Sequence, residues 1–254
     1  MCINRLVDLD TYRETDMRKD SRGIATNAFK GCVLAGTLGV AMWVEASPSG
    51  LNNIPTADTC TEQTAVFQTW EGFGGGNHSE NWVGVKYGLF ENAEIGADWR
   101  TTDPYRDPQF QAKYTLEFAE DLPRFAIGIA NVTTDRSRNG DPMPYGVLTY
   151  NLKDWCRLHA GYGFEKDNEG AFGGIDRTFK VAGMNVMLCG DVIQCDGRDD
   201  ALLAPGIKIG PAADDIKGLL GTILRHTAFE TWTTLSTSGE SETYVAKLNV
   251  IIGF

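Results

Sequence analysis

Acidic residues at short spacings are the first candidates for chemistry in this chain. Glu94 and Asp98 form one pair and Glu117 and Glu165 form a second, and a glycoside hydrolase needs two such carboxylates across its substrate. The chain holds 34 acidic residues, however, so pairs of this kind indicate a solvated surface better than a catalytic site. A formal net charge of −11 also argues against a nucleic-acid partner, which requires basic patches.

Other motifs that could support catalysis or ligand binding are incomplete. A membrane esterase needs a nucleophile beside a base, but there are three histidines and the serines after residue 46 lie at the N-terminal end or in predicted loops. The acidic run Asp196–Asp200 lacks the EF-hand spacing, and the glycine-rich Gly72–Asn77 lacks a following helix. No CxxC motif occurs. We therefore predict no enzyme activity, no cofactor and no metal site.

The elements that must position the charged residues are strands. In Pro108–Phe118 every second residue is apolar and those between are polar, so a strand here has one apolar and one polar face. In the final stretch Tyr244–Phe254 every second residue is likewise apolar. Long strands with an unbroken apolar face are typical of membrane-spanning barrels, although a soluble sheet with one face on a core shows the same pattern.

About twelve such strands follow residue 60. Their predicted spans are 61–72, 80–90, 92–102, 108–119, 122–133, 143–152, 154–166, 169–179, 183–194, 200–210, 220–234 and 241–254. Short links alternate with longer, charged ones, as turns and external loops do in outer-membrane barrels. Pro205 removes a ladder donor and predicts a bulge. The pattern predicts an all-β fold: a single antiparallel transmembrane β-barrel of about twelve strands.

The polar faces of these strands define the predicted lumen. Its charged residues, which we expect to line a pore, are Lys86, Glu94, Asp98, Arg100, Lys113, Glu117, Arg157, His159 and Glu165. Such charges set the preference of a water-filled pore, but paired with one another they fill a small barrel. Two functions remain open: a channel for small solutes or ions, and a non-conducting structural or export-accessory barrel.

The N-terminal 46 residues are predicted to be a cleaved signal peptide. A basic region is followed by the apolar run Gly31–Val44, and small residues precede a cleavage site after Ala46. Met17 is a candidate for the true start, and an N-terminal anchor helix is the alternative. The domain organisation predicted is a signal peptide at 1–46, an extended lead-in at 47–60 and a barrel at 61–254.

Export leads to an oxidising compartment, so disulfides are compatible with the four cysteines that follow the signal peptide. Cys189 and Cys195 lie too far apart to pair within one straight strand. The pairing among Cys60, Cys156, Cys189 and Cys195 stays open.

Three stretches carry a resemblance to known proteins: SGLNNIPTAD at 49–58, WVGVKYGLFENAEIGADW at 82–99 and YVAKLNVIIGF at 244–254. They resemble bacterial outer-membrane β-barrels, and more narrowly the YjbH-like exopolysaccharide-associated group. The resemblance implies the outer membrane of a Gram-negative-type bacterium, contact with its lipid, and a link of the accessory-barrel alternative to surface polysaccharide. It also implies that the barrel-assembly machinery reads the C-terminal residues Leu248, Val250, Ile252 and Phe254.

Overall fold

The computed structural model describes residues 49–60 of the lead-in and most of the barrel. The described residues are 49–74, 80–102, 107–119, 122–153, 155–166, 169–196, 200–212, 218–239 and 242–254. The predicted signal peptide lies outside them.

Twelve strands form one closed antiparallel barrel, which confirms the predicted fold class. They are β1 (Thr64–Phe73), β2 (Glu80–Phe90), β3 (Ala93–Arg100), β4 (Gln109–Leu116), β5 (Arg124–Val132), β6 (Met143–Leu152), β7 (Cys156–Gly163), β8 (Gly170–Val181), β9 (Met184–Cys195), β10 (Ala201–Ala212), β11 (Thr227–Ser236) and β12 (Glu242–Gly253). Two helices, α1 (Arg136–Asn139) and α2 (Gly218–Arg225), lie in connections. Within the described ranges, neither helix has the length and apolar character needed to cross a membrane.

Each strand pairs with its sequence neighbours, and β1 pairs with β12 to close the ring. Alternation then sorts side chains to two faces. In β4, Gln111 and Lys113 point inward and are buried, whereas Phe110, Tyr114 and Leu116 point outward and are exposed. An outward apolar surface around a closed barrel is the arrangement that lipid favours, because no strand edge is left unpaired.

The barrel has two different rims. One rim holds the start of β1, the end of β12, the links β2–β3, β4–β5, β6–β7 and β8–β9, and helix α2. We call it the terminus rim. The opposite rim, the loop rim, holds the remaining connections, which are mostly longer, as predicted for external loops.

Two local predictions in β10 and β11 were wrong. β11 begins at Thr227 and not at 220, because the apolar run at Gly218–Arg225 is helical. A short apolar run gives no periodicity that separates a helix from a buried strand. The ladder between β9 and β10 keeps its register through Pro205, and its shift lies between Ile209 and Ala212 instead. The pairs to β11 are interrupted at Pro205 and resume in the same register, so the missing donor causes no bulge.

Candidate functional site

The lead-in segment enters the barrel and folds back on itself inside the lumen. Leu51 N donates to Ile54 O at 3.0 Å, and Thr56 N donates to Ser49 O at 3.2 Å. Gly50 and Pro55 form a β-bridge between the two arms. We call Ser49–Thr56 the lumen hairpin.

The hairpin buries its apolar side chains against one side of the barrel wall. Leu51 is 4% exposed and Ile54 is 1% exposed. Both belong to an apolar cluster whose wall members come from β5, β6, β8, β9 and β10: Ala126, Ala130, Met143, Tyr145, Val147, Phe172, Cys189, Ile193 and Leu202. Gly174 makes room for them, because a Cβ there would lie 2.5 Å from Leu51 Cδ1 and 2.9 Å from Ile54 Cδ1.

The tip of the hairpin is held by one carboxylate. The backbone N–H groups of Asn52 and Asn53 donate to Asp191 Oδ2 at 2.9 and 3.0 Å. The Asn52 amide also donates to Ala204 O at 2.6 Å, and Trp232 Nε1 donates to Asn53 Oδ1 at 3.2 Å. Both backbone donors bind one oxygen of this buried carboxylate, so they orient the tip and offset part of the cost of burying Asp191, whose Oδ1 accepts no hydrogen bond among the described residues.

The two ends of the lead-in meet at Glu94 and Lys113. Glu94 accepts hydrogen bonds from Ser49 N at 2.9 Å, Ser49 Oγ at 2.6 Å and Cys60 N at 2.8 Å. Lys113 Nζ donates to Ser49 O at 2.6 Å and Thr56 O at 3.2 Å, and it lies 3.4 Å from Glu94. Two residues that the sequence placed on a pore wall therefore bind the segment that fills the lumen.

Asp58 anchors the lead-in near the terminus rim. Its carboxylate pairs with Arg124 Nη2 at 2.5 Å and with Arg157 Nη1 at 2.8 Å. Burial alone would raise the pKa of Asp58, but the guanidinium groups of Arg157 and Arg124 outweigh it and lower the pKa to about 2. Arg157 also forms a forked pair with Asp176 at 2.9 and 2.8 Å, so its position is fixed from both sides.

Of the other predicted pore-lining residues, five are buried inside the barrel and Glu117 is exposed at the terminus rim. Lys86, Asp98, Arg100, His159 and Glu165 are all buried on the inner side of the barrel. Asp98 accepts from Gln111 at 2.8 Å, and His159 connects Asp176 to Thr149, whose hydroxyl receives the Ala57 N–H at 2.9 Å. Glu117 differs, because it follows the end of β4 at the terminus rim, its side chain is 67% exposed and it lies 3.7 Å from Arg124.

Several inward charged residues were missing from the predicted set: Asp176, Asp191, Lys208, Glu230 and Lys247. They lie in β8–β12, and in β8–β11 glycine, proline and helix α2 obscure the alternation. Lys208 pairs with Glu230 at 3.0 Å and donates to Gly50 O at 2.8 Å. Lys247 alternates with the apolar residues of β12, so the same rule applied to that strand would have found it.

Between the hairpin and the loop rim, cations and indole rings line the wall. Trp70 and Trp82 stack with ring centroids 5.7 Å apart, Arg100 lies 4.9 Å from the Trp82 ring and Lys247 lies 5.2 Å from the Trp70 ring. Arg100 also pairs with Glu80 at 3.0 Å. This part of the lumen therefore combines two cations with a second apolar cluster, which consists of Trp70, Trp82, Ala204, Trp232 and Val245.

The part of the chain that the structure describes contains no disulfide and no group of metal ligands. Cys60, Cys156 and Cys189 are free thiols there. Cys195 ends β9, the same strand that holds Cys189, with no turn between them. No group of three potential metal ligands occurs among the described residues.

Comparison with known proteins identifies the architecture. No family model and no curated protein matches the chain. Among solved structures, a KdgM porin aligns with a TM-score of 0.51 at 11% identity, over 73% of this chain and 98% of that chain. The chain has the fold of a porin barrel. The outer membrane protein Omp33 of Acinetobacter baumannii aligns over 76% of this chain and 99% of its own, at 8% identity and a TM-score of 0.44. At these identities the likeness concerns the fold.

Proposed function

We propose that this protein is a channel for small solutes or ions in the outer membrane of a Gram-negative-type bacterium, and that the lumen hairpin closes it. The pore wall is assigned to the nine charged residues predicted from the sequence, with Glu117 at the terminus rim. Asp176, Asp191, Lys208, Glu230 and Lys247 extend this wall to the second half of the barrel.

One observation carries the proposal: a separate segment, and not side chains of the wall, occupies the centre of the barrel. The hairpin contacts wall residues from β3 and β4 on one side and from β9 and β10 on the other. A barrel that is merely structural can close its interior with wall side chains, as eight-stranded barrels do. Here the removal of one hairpin would leave a space lined by charges of both signs, which suits weakly selective passage.

Single-channel conductance in planar bilayers tests this proposal. The full chain and a variant lacking Gly50–Ala57 are compared, after heat-modifiable gel migration has shown that both are folded. We expect the full chain to be mainly closed and the deletion variant to show stable open steps. A folded deletion variant that conducts nothing would contradict the channel.

The second candidate is a non-conducting export-accessory barrel linked to surface polysaccharide, and the hairpin itself favours it. Many polar contacts and buried apolar residues hold this segment in the lumen. Such contacts are consistent with a segment that never leaves the lumen as well as with one that opens. Silence of both proteins in the bilayer experiment would support this candidate. The resemblance to the YjbH-like group belongs to the same proposal.

Further proposals concern assembly and chemistry. We infer that residues 1–46 are removed as a signal peptide and that the barrel-assembly machinery reads Leu248, Val250, Ile252 and Phe254. Phe254 is 76% exposed and its backbone N–H donates to Gln63 O at 2.9 Å, next to the seam between β1 and β12. Deletion of Phe254 should lower the amount of heat-modifiable barrel in membranes.

We propose no enzyme activity, because the buried charges of the lumen are engaged in structural contacts.

A further inference from the structure

A groove runs along the outer, lipid-facing surface of the barrel near the terminus rim. Its volume is about 370 Å³, and Trp155, Ile175, Arg177, Leu188 and Gly190 contribute to its lining. Between these outward positions of β8 and β9, Asp176 and Cys189 turn inward and are buried. The groove is thus distinct from the lumen and lies on the opposite side of the wall.

Glycine forms the floor of this outer groove. Gly190 pairs with Ile175 on β8 and with Pro205 on β10. A Cβ on Gly190 would meet no atom nearer than 4.0 Å, so the missing side chain leaves open space on the surface. Ile175 and Leu188, which flank it, are 46% and 52% exposed. An acyl chain lying in such a depression would contact apolar side chains on both sides.

A single basic side chain lies at the end of the outer groove. Among the outward-facing positions of the described strands, Arg177 is the one basic residue, and the acidic ones, Glu71 and Glu242, lie near the loop rim. Arg177 is exposed, and its guanidinium lies 4.9 Å from the ring centroid of Phe179. An arginine on a lipid-facing surface is costly unless it reaches the interface, where phosphate groups are available.

The height of Arg177 fits the headgroup level. Asp176 pairs with Arg157, so Arg177 lies level with the first residue of β7, and Trp155 immediately precedes that strand. Tryptophan is enriched where lipid headgroups meet the hydrocarbon. Arginine binds phosphate through two parallel hydrogen bonds, which gives a lipid phosphate a fixed position there.

We propose that the outer groove is a binding site for an anionic glycerophospholipid. The phosphate is bound by Arg177 beside Trp155, and one acyl chain lies over Gly190 between Ile175 and Leu188. This site is independent of solute passage through the lumen. It gives the barrel one preferred lipid position in the leaflet at the terminus rim.

Native mass spectrometry of the detergent-purified full chain tests the proposal, with dioleoyl-phosphatidylglycerol as the probe and dioleoylglycerol as the lipid without phosphate. We expect one phosphatidylglycerol to be retained by the unaltered protein and about ten-fold weaker retention by Arg177→Gln, because one charged hydrogen-bonded contact is lost. Gly190→Leu fills the groove and should abolish retention. Gly146→Leu places the same side chain on an outward glycine elsewhere, where a Cβ meets only Phe125 at 3.5 Å, and should retain the lipid.

Heat-modifiable migration first confirms that each variant is folded. Equal retention by the unaltered protein and Arg177→Gln would overturn the phosphate contact. If Gly190→Leu retains phosphatidylglycerol as strongly as the unaltered protein, the claim that an acyl chain lies in the groove is wrong. Retention of dioleoylglycerol as strong as that of phosphatidylglycerol would show a general apolar surface and would also overturn the proposal.

Discussion

Replacement of Asp58 by asparagine should release the lumen hairpin. The Asp58 carboxylate ties the lead-in to Arg124 and Arg157, and asparagine keeps the size of the side chain but removes its charge. A pKa near 2, against an ordinary value of 3.8, corresponds to about 2.5 kcal/mol of preference for the ionised form in the docked state. Because the side chain is 30% exposed, solvent screening reduces this to about 2 kcal/mol.

A loss of about 2 kcal/mol changes the ratio of closed to open barrels by about thirty-fold. We therefore expect Asp58→Asn to raise the open fraction in planar bilayers by that factor until opening saturates. Glu62→Gln is the matched control, since Glu62 is an exposed acid near the same rim for which no side-chain ion pair occurs among the described contacts. If Asp58→Asn and Glu62→Gln behave alike, or if neither opens the barrel, the anchoring role of Asp58 is refuted.

The same contact predicts a pH dependence of definite sign. A carboxyl whose pKa is lowered in the docked state stabilises docking fully above pH 3.8, and this contribution is lost as the pH falls towards about 2. The charged groups that face Asp58 are Arg124 and Arg157, and Asp176 lies on the far side of Arg157. We expect opening of the unaltered protein to increase below about pH 4. In Asp58→Asn this increase should be smaller but not absent, because the Glu94 carboxylate also binds the lead-in, and conductance measured from pH 7 to pH 3 checks it.

Three other predictions follow from the wall and the lipid face. Gly174→Ala should favour opening by about 1–3 kcal/mol, because its Cβ would overlap Leu51; the open fraction in bilayers measures it. In the background lacking Gly50–Ala57, Lys113→Glu should shift reversal potentials towards cation selectivity, whereas Phe110→Tyr on the outer face of the same strand should not. Val250→Asp places a charge on the lipid face of β12 and should reduce heat-modifiable barrel in membranes; unchanged levels would contradict the assignment of that face.

The barrel was predictable because strand alternation is a local property. In β4 each residue type indicates its own face, and in β12 most do, with Val245 and Ile251 as apolar exceptions on the inner face. Closure follows because a ring of twelve paired strands leaves no strand edge unpaired. Residues 220–225 of helix α2 were assigned to the following strand, because a run of apolar residues with two glycines has no clear period. Proline lacks a backbone N–H, and its effect on the register depends on whether that position faces β9 or β11. The residues around Pro205 do not indicate which strand it faces.

The lumen set was predictable only in part for a related reason. Alternation says that Glu94 and Lys113 point inward, but not that their partners are Ser49 and Thr56, some 45 and 57 residues away. Such contacts depend on where the lead-in turns back, which Leu51 and Ile54 determine through packing with the far wall. The lead-in is rich in turn formers, which predict irregular structure but not the wall residues that it contacts.

The seam between β1 and β12 links the closure of the ring to the position of the hairpin. These strands come from opposite ends of the barrel sequence, and the hairpin directly precedes β1. The ring is complete only when the last strand arrives, and contacts between such distant parts of a chain form slowly. Because the hairpin contacts β3 and β4 on one side and β9 and β10 on the other, closure of the ring encloses it between strands from both halves of the barrel. A variant lacking Gly50–Ala57 must close its ring without the hairpin contacts. A protein whose hairpin is cut after closure has instead folded with those contacts in place.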